Sequence, residues 1–131
     1  MRILGIDPGS RATGYGIIEH SNGRCFHVVH GTIRTDDAAF PSRNAQSALK
    51  LGQVRGVLLL AAALNGMEIF EYSPMEIKKA ITGYGRAEKE QIRYMVCTLL
   101  KLKSVCSLDA SDALAVAICH AHAGQFQRRL S

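Results

Sequence analysis

Three β-strands in a row at the start of the chain, followed by little but helix, restrict what this sequence can fold into. Arg2 to Ile6 is an apolar run that stops at Asp7, and Pro8-Gly9-Ser10 is turn chemistry. Thr13 to Glu19 and Cys25 to Ile33 read as two further strands, with Ser21-Asn22-Gly23 between them as a hairpin signal. The three strands run antiparallel, and the first carries an acid at its C-terminal end. Arg34 to Arg43 is polar, holds Asp36-Asp37 and Pro41, and reads as a loop.

The helical part begins at Ala45 and runs to Leu64, where Ala48, Gly52 and Gly56 recur four apart on one face. Such a stripe admits another backbone, either this chain's own sheet or a second subunit, and packing within the chain is the commoner outcome. Glu68 to Tyr72 reads as a short strand. Pro74 then suits the first turn of a helix with Ser73 as N-cap, and Gly83-Tyr84-Gly85 breaks it. Ala87 to Leu102 reads as a helix whose buried face is Ile92, Met95, Val96, Leu99 and Leu100. After a connection at Ser104 to Leu108, Asp109 to Ala123 reads as a final alanine-rich helix with Leu114, Ala117 and Ile118 inward. Strands first and helices later place the chain in the α/β or α+β class. At 131 residues it makes one domain, 1–131, with a single core.

The longest purely apolar run, Val57 to Leu64, is far too short to span a bilayer, and no signal peptide is read at the N-terminus. Cys25, Cys97, Cys106 and Cys119 form no CxxC pair, which suits reduced thiols in a cytoplasmic protein. The net charge is +5. Much of the excess lies between Pro74 and Lys103, in Lys78, Lys79, Arg86, Lys89, Arg93, Lys101 and Lys103. A basic patch favours a polyanion, because bound phosphates release counterions. A solvated surface with a modest bias is the plain alternative.

Two acid motifs stand out. Asp7 closes the first strand ahead of a tight turn, which fixes a carboxylate rigidly at a sheet edge. A turn-initiating aspartate is the ordinary reading. Asp109 and Asp112 stand three apart near a helix start and lie on one side of it. The helix dipole explains either acid alone, but two on an alanine-rich helix strain that account. If the first turn packs near the first strand, Asp7, Asp109 and Asp112 converge. Gathered carboxylates repel, and a divalent cation relieves them. Oxygen-only ligands favour Mg²⁺ or Mn²⁺, and paired ions can clamp a phosphodiester for in-line displacement. Basic surface and hard-metal carboxylates together suggest a nuclease.

Other features carry less. His120 and His122 diverge on a helix, Cys97 and Cys119 read as core, and Gly14 and Gly16 mark a bulge or close approach in a strand. Tyr15, Phe40 and Tyr84 are aromatics able to stack on exposed bases.

The stretch Gly5 to Glu19, GIDPGSRATGYGIIE, resembles the opening of the RuvC family of Holliday junction resolvases. Asn44 to Val57, Phe70 to Ile92 and Leu108 to His120 resemble later stretches of the same family, in order. The resemblance implies an RNase H-like mixed sheet flanked by helices. It implies a homodimeric, structure-selective endodeoxyribonuclease that nicks four-way junctions symmetrically with Mg²⁺, in recombination and repair. It also implies the RuvA–RuvB branch-migration complex as partner. The family's motif positions fall on Asp7, Asp109 and Asp112 as catalytic metal ligands, and on Lys78 and Lys89 as DNA-holding residues.

One departure is large. Where the family continues after the equivalent of Pro41 to Arg43 with a helix, a strand bearing a catalytic glutamate and an aromatic loop, Arg43 here runs directly into Asn44. In an RNase H-like sheet the missing strand lies beside the first. Its loss leaves backbone groups of the Asp7 strand unpaired unless Glu68 to Tyr72 slides in. Asp36, Asp37, Glu68 and Glu71 are the conceivable substitute ligands. An incompletely read longer chain, a true internal deletion, or an inactive variant that still dimerises and binds junctions would each explain the gap. The clean splice favours the first two. Two other functions compete: a junction-binding module without catalysis, and a fragment of an actin-like ATPase. The second is disfavoured because no second phosphate hairpin follows.

Overall fold

A computed structural model describes residues 1–34, 45–103 and 107–130, with residues 45–48 and 124–130 described for their backbone alone. Strands β1 (Arg2–Asp7), β2 (Ala12–Ser21) and β3 (Arg24–Arg34) form an antiparallel sheet in the order β1-β2-β3. The β2–β3 connection is the two-residue turn that its sequence signals. Asn22 and Gly23 both have positive φ, 53° and 77°, the twist that matches strands in a hairpin. Helices follow at α1 (Ala45–Leu64), α2 (Pro74–Thr82), α3 (Lys89–Leu100) and α4 (Leu108–Leu130).

Local chemistry sets the helix ends. Ser73 caps α2 in a reciprocal box with Glu76, Pro74 takes the first turn, and Gly83 closes the helix in the left-handed region at φ 90°. Glu88 is the N-cap of α3, with Gln91 completing its box, so this helix starts two residues later than its apolar pattern suggests. On α3, Ile92, Val96 and Leu100 are buried and Met95 packs beside them, whereas Leu99 points out.

α4 is the spine of the core. It lies along one face of the sheet, with Leu114, Ala117 and Ile118 fully buried against Ile3 and Ile18, and α2 and α3 pack on it. Its close seat depends on absent side chains. A Cβ on Gly5 would run into the Ala113 carbonyl, one on Gly14 into the Asp109 carbonyl, and one on Gly16 into Leu114. Gly14 and Gly16 therefore mark close approach.

Three expectations need correction. Glu68–Tyr72 is not a strand and does not slide in beside β1; β1 is an edge of the sheet among the described residues. The segment is drawn elsewhere: the Tyr72 hydroxyl meets His120 Nδ1 at 2.7 Å, and the Phe70 ring stacks on the His120 ring at 4.6 Å. The small-residue stripe of α1 does not seat on the chain's own sheet. Gly52 and Gly56 face open space, and no other helix or strand of the described residues lies against α1. Cys119 is core as expected, but Cys97 is only half-buried. The loop from 35 to 43, with Asp36, Asp37 and Phe40, and Cys106 lie outside the described residues.

Candidate active site

Asp7 ends β1 opposite Gly14 of β2. The same glycine that pairs with it admits the first turn of α4 at Asp109. Ser107 fixes that turn: its Oγ accepts from Ala110 N at 3.2 Å, its carbonyl from Ser111 N at 2.9 Å, and its hydroxyl meets Thr32 Oγ1 of β3 at 3.1 Å. Helix and sheet are thus joined at one end, and the acids of both stand there.

The carboxyls of Asp7 and Asp112 lie near enough to act on each other. Burial pushes the Asp7 carboxyl up to about 6, and the charges of Asp112 and Asp109 push the same way, against Lys89. Burial also raises Asp112, opposed by Lys89 and by Asp7. The interaction between them raises Asp7 and lowers Asp112, so below about pH 6, where the pair holds a proton, it sits on Asp7. Asp109 acts on both through its charge.

The charges of Asp7, Asp112 and Asp109 therefore reach one another at this end of the sheet. Among the described residues no three carboxylate, histidine or cysteine side chains already converge into a complete ion site. The donor set is nevertheless all-oxygen and mutually repelling, which fits a hard divalent cation that keeps water or phosphate oxygens as its other ligands.

Lys89 is the first residue of α3 and the cation whose charge reaches Asp7 and Asp112. Its link to the acids could not be read from spacing, because it depends on how α3 folds back onto α4. Lys78 lies half-buried on α2. Glu68 and Glu71 are not substitute ligands. Glu71 pairs with Arg55, and Glu68 acts on His120, which is eight residues, about 12 Å, along α4 from Asp112. His120 and His122 diverge as expected, the second meeting the Ala80 carbonyl at 3.3 Å.

The family model described as crossover junction endodeoxyribonuclease RuvC matches residues 3–43 and 37–120. A protein of that name from Geobacter sulfurreducens is 45% identical over 152 residues, covering 93% of each chain. Its counterpart from Citrifermentans bemidjiense is 47% identical with the same coverage. Since 93% of this chain is about 122 residues, about 30 of the 152 aligned positions have no residue here. The two stretches of the family match meet between β3 and α1, where that shortfall falls. Among solved structures, Thermus thermophilus RuvC in complex with Holliday junction substrate superposes with a TM-score of 0.87 at 26% identity, over 97% of this chain and 96% of that one. With its acids on the end of an RNase H-like sheet and matches from β1 to α4, the chain belongs to the RuvC family.

Proposed function

We propose that the chain is a crossover junction endodeoxyribonuclease that resolves Holliday junctions in recombination and repair. One observation carries the reading: the carboxyls of Asp7 and Asp112 act on each other, and the charges of Asp109 and Lys89 reach both, at one end of the sheet. Asp7, Asp112 and Asp109 would hold Mg²⁺, with Mn²⁺ able to replace it. When bound, the ion supplies Lewis acidity toward the phosphodiester and lowers the pKa of a water. The chain's own part is to fix the carboxylates. β2 and α4 hold them from two sides, and above about pH 6 Asp7 is ionised. Lys89 and Lys78 position the phosphates, and the basic surface of α2 and α3 holds the arms of the junction.

The partners that fit are a four-way junction, a second copy of the chain and the RuvA–RuvB complex, in the cytoplasm. The exposed apolar stripe of α1 supports the second copy. No helix of the described residues is long and apolar enough to cross a membrane.

A second reading rests on the edge of β1, open among the described residues, and the unmatched stretch of about 30 positions: a module that binds junctions without cutting them. The test is a labelled four-way junction against a linear duplex, with and without Mg²⁺, beside Asp7→Asn. Paired nicks that need both Mg²⁺ and Asp7 support the enzyme. Binding without nicks leaves the module and removes catalysis from this chain.

A further inference from the structure

The register between β2 and β3 slips once. Ile17 pairs with Val29 and Ile18 with His27, so Val28 is an extra residue and β3 bulges there. In a regular strand, residues three apart point to opposite faces. The bulge cancels that alternation and turns His27 and His30 to the same face, the one under α4. His27 stands opposite the buried Ile18, and His30 stands opposite Gly16, whose missing side chain makes room for Leu114. The two rings are 4.9 Å apart and tilted by 57°, with His27 Nε2 and His30 Nδ1 separated by 2.7 Å.

Two imidazole lone pairs at that distance repel, so a proton or a metal cation has to lie between them. In the neutral pair one ring donates its N–H to the other. A cation takes the same place once the donor ring moves its proton to its other nitrogen. No proton is lost, and both facing nitrogens become ligands. Burial, and then the charge of His30, hold His27 below its ordinary value, which keeps the ring neutral and able to bind metal. There is also room for the rest of a coordination shell. His27 lines a cavity of about 650 Å³ between the start of β3, the end of α3 and α4, together with Cys25 and His122. Those two donors are otherwise placed: burial raises the Cys25 thiol, and His122 meets the Ala80 carbonyl. Among the described residues no third histidine, cysteine or carboxylate joins the pair.

We propose that His27 Nε2 and His30 Nδ1 chelate a transition ion of the Zn²⁺ class, with water from the cavity as its other ligands. Imidazole nitrogens suit Zn²⁺, Ni²⁺ and Cu²⁺, whereas the all-oxygen acids suit Mg²⁺, so the chain carries two ion sites of different chemistry. On a tetrahedral Zn²⁺ with bonds of about 2.0–2.1 Å, two nitrogens stand about 3.3 Å apart, and the rings reach that by parting about 0.6 Å. The two sites are separate in space. His27 is level with Ile3 through Ile18, and Asp7 lies four residues further along β1, about 13 Å, with β2 in between. An ion at the histidines clamps both sides of the bulge, so its effect falls on the stability of the sheet.

The test is calorimetric titration with Zn²⁺ alone, in excess Mg²⁺ and in the Asp7→Asn background, so that the acids do not report. One Zn²⁺ should bind per chain. His27→Asn and His30→Asn should each weaken it by about 10-fold or more, and Cys25→Ser and His122→Asn should leave it unchanged. Circular dichroism verifies that each variant folds. In the parent chain, with no substitution, Zn²⁺ should move the side-chain nitrogen resonances of His27 and His30 in NMR spectra and raise the melting temperature. Binding that survives both histidine substitutions, or that is lost with Cys25→Ser or His122→Asn, would overturn the pair as the site. No heat with Zn²⁺, or resonances that stay in place, would leave the contact as a hydrogen bond only and overturn the proposal.

Discussion

Asp7→Asn should make the metal-free protein more stable. The Asp7 carboxyl has an ordinary value of 3.8 and stands at about 6 in the fold, chiefly through burial and then through Asp112 and Asp109. The group is a carboxyl raised on folding, so the sign is fixed. Below pH 3.8 both states are protonated and nothing changes. Between 3.8 and about 6 the unfolded chain ionises first, and stability falls as pH rises. Above about 6 the penalty is complete. At full value it is about 3 kcal/mol, and screening at a half-exposed site reduces it to about 1–2 kcal/mol. At pH 7.5 in EDTA the variant should melt about 3–6 °C above the parent, and near pH 3.5 the two should coincide. Mg²⁺ should raise the parent's melting temperature and leave the variant nearly unmoved. Differential scanning calorimetry reads all of this. A variant that melts lower at pH 7.5, or a gap that is the same at both pH values, would refute electrostatic strain at Asp7.

Gly14→Ala should destabilise by about 1–3 kcal/mol, because its Cβ meets the Asp109 carbonyl and lifts the start of α4. The same variant should lose the melting response to Mg²⁺, and a response of parental size would show that the acids do not depend on this seat. Lys89→Ala should weaken junction binding and flatten its salt dependence by about one unit of slope in fluorescence anisotropy titrations. An unchanged slope would remove Lys89 from the phosphate contacts. Ser111→Ala should be neutral or stabilising by up to about 1 kcal/mol in urea unfolding, since the buried Ser111 hydroxyl has no partner among the described residues. A loss larger than that would mean that the hydroxyl is satisfied.

What could be read before folding was whatever local chemistry decides. The Asn22-Gly23 turn, the Ser73–Glu76 cap and the inward face of Leu114, Ala117 and Ile118 depend on neighbours in sequence. The nearness of Asp109 and Asp112 was legible for a similar reason, since residues three apart share one side of a helix. Contacts that depend on tertiary choice were not. Glu68–Tyr72 has the composition of a strand, but Phe70 and Tyr72 find His120 before any strand partner. Leu99 has helical spacing for the core and still lies outside it, because α3 crosses α4 on Ile92, Val96 and Leu100. Lys89 became part of the site only through that crossing.

The shortfall against the relatives falls on one side of this architecture, and the acids are held from the other. Asp7 is set by its pairing with Gly14 in β2, and Asp109 and Asp112 by α4, whose seat depends on Gly5, Gly14, Gly16 and the Ser107 cap. None of these supports lies between β3 and α1. Among the described residues, what is left open there is the outer edge of β1, the far face of the sheet and the stripe of α1. Two properties that travel together in an intact relative are therefore separable here. The convergence of Asp7, Asp109 and Asp112 should survive in this chain, while their sufficiency for cleavage, without a further carboxylate from the unmatched segment, is a distinct physical question. Metal binding and strand cutting measured on the same protein would answer it: calorimetric Mg²⁺ binding with intact junctions places the loss in the missing ligand and not in the fold.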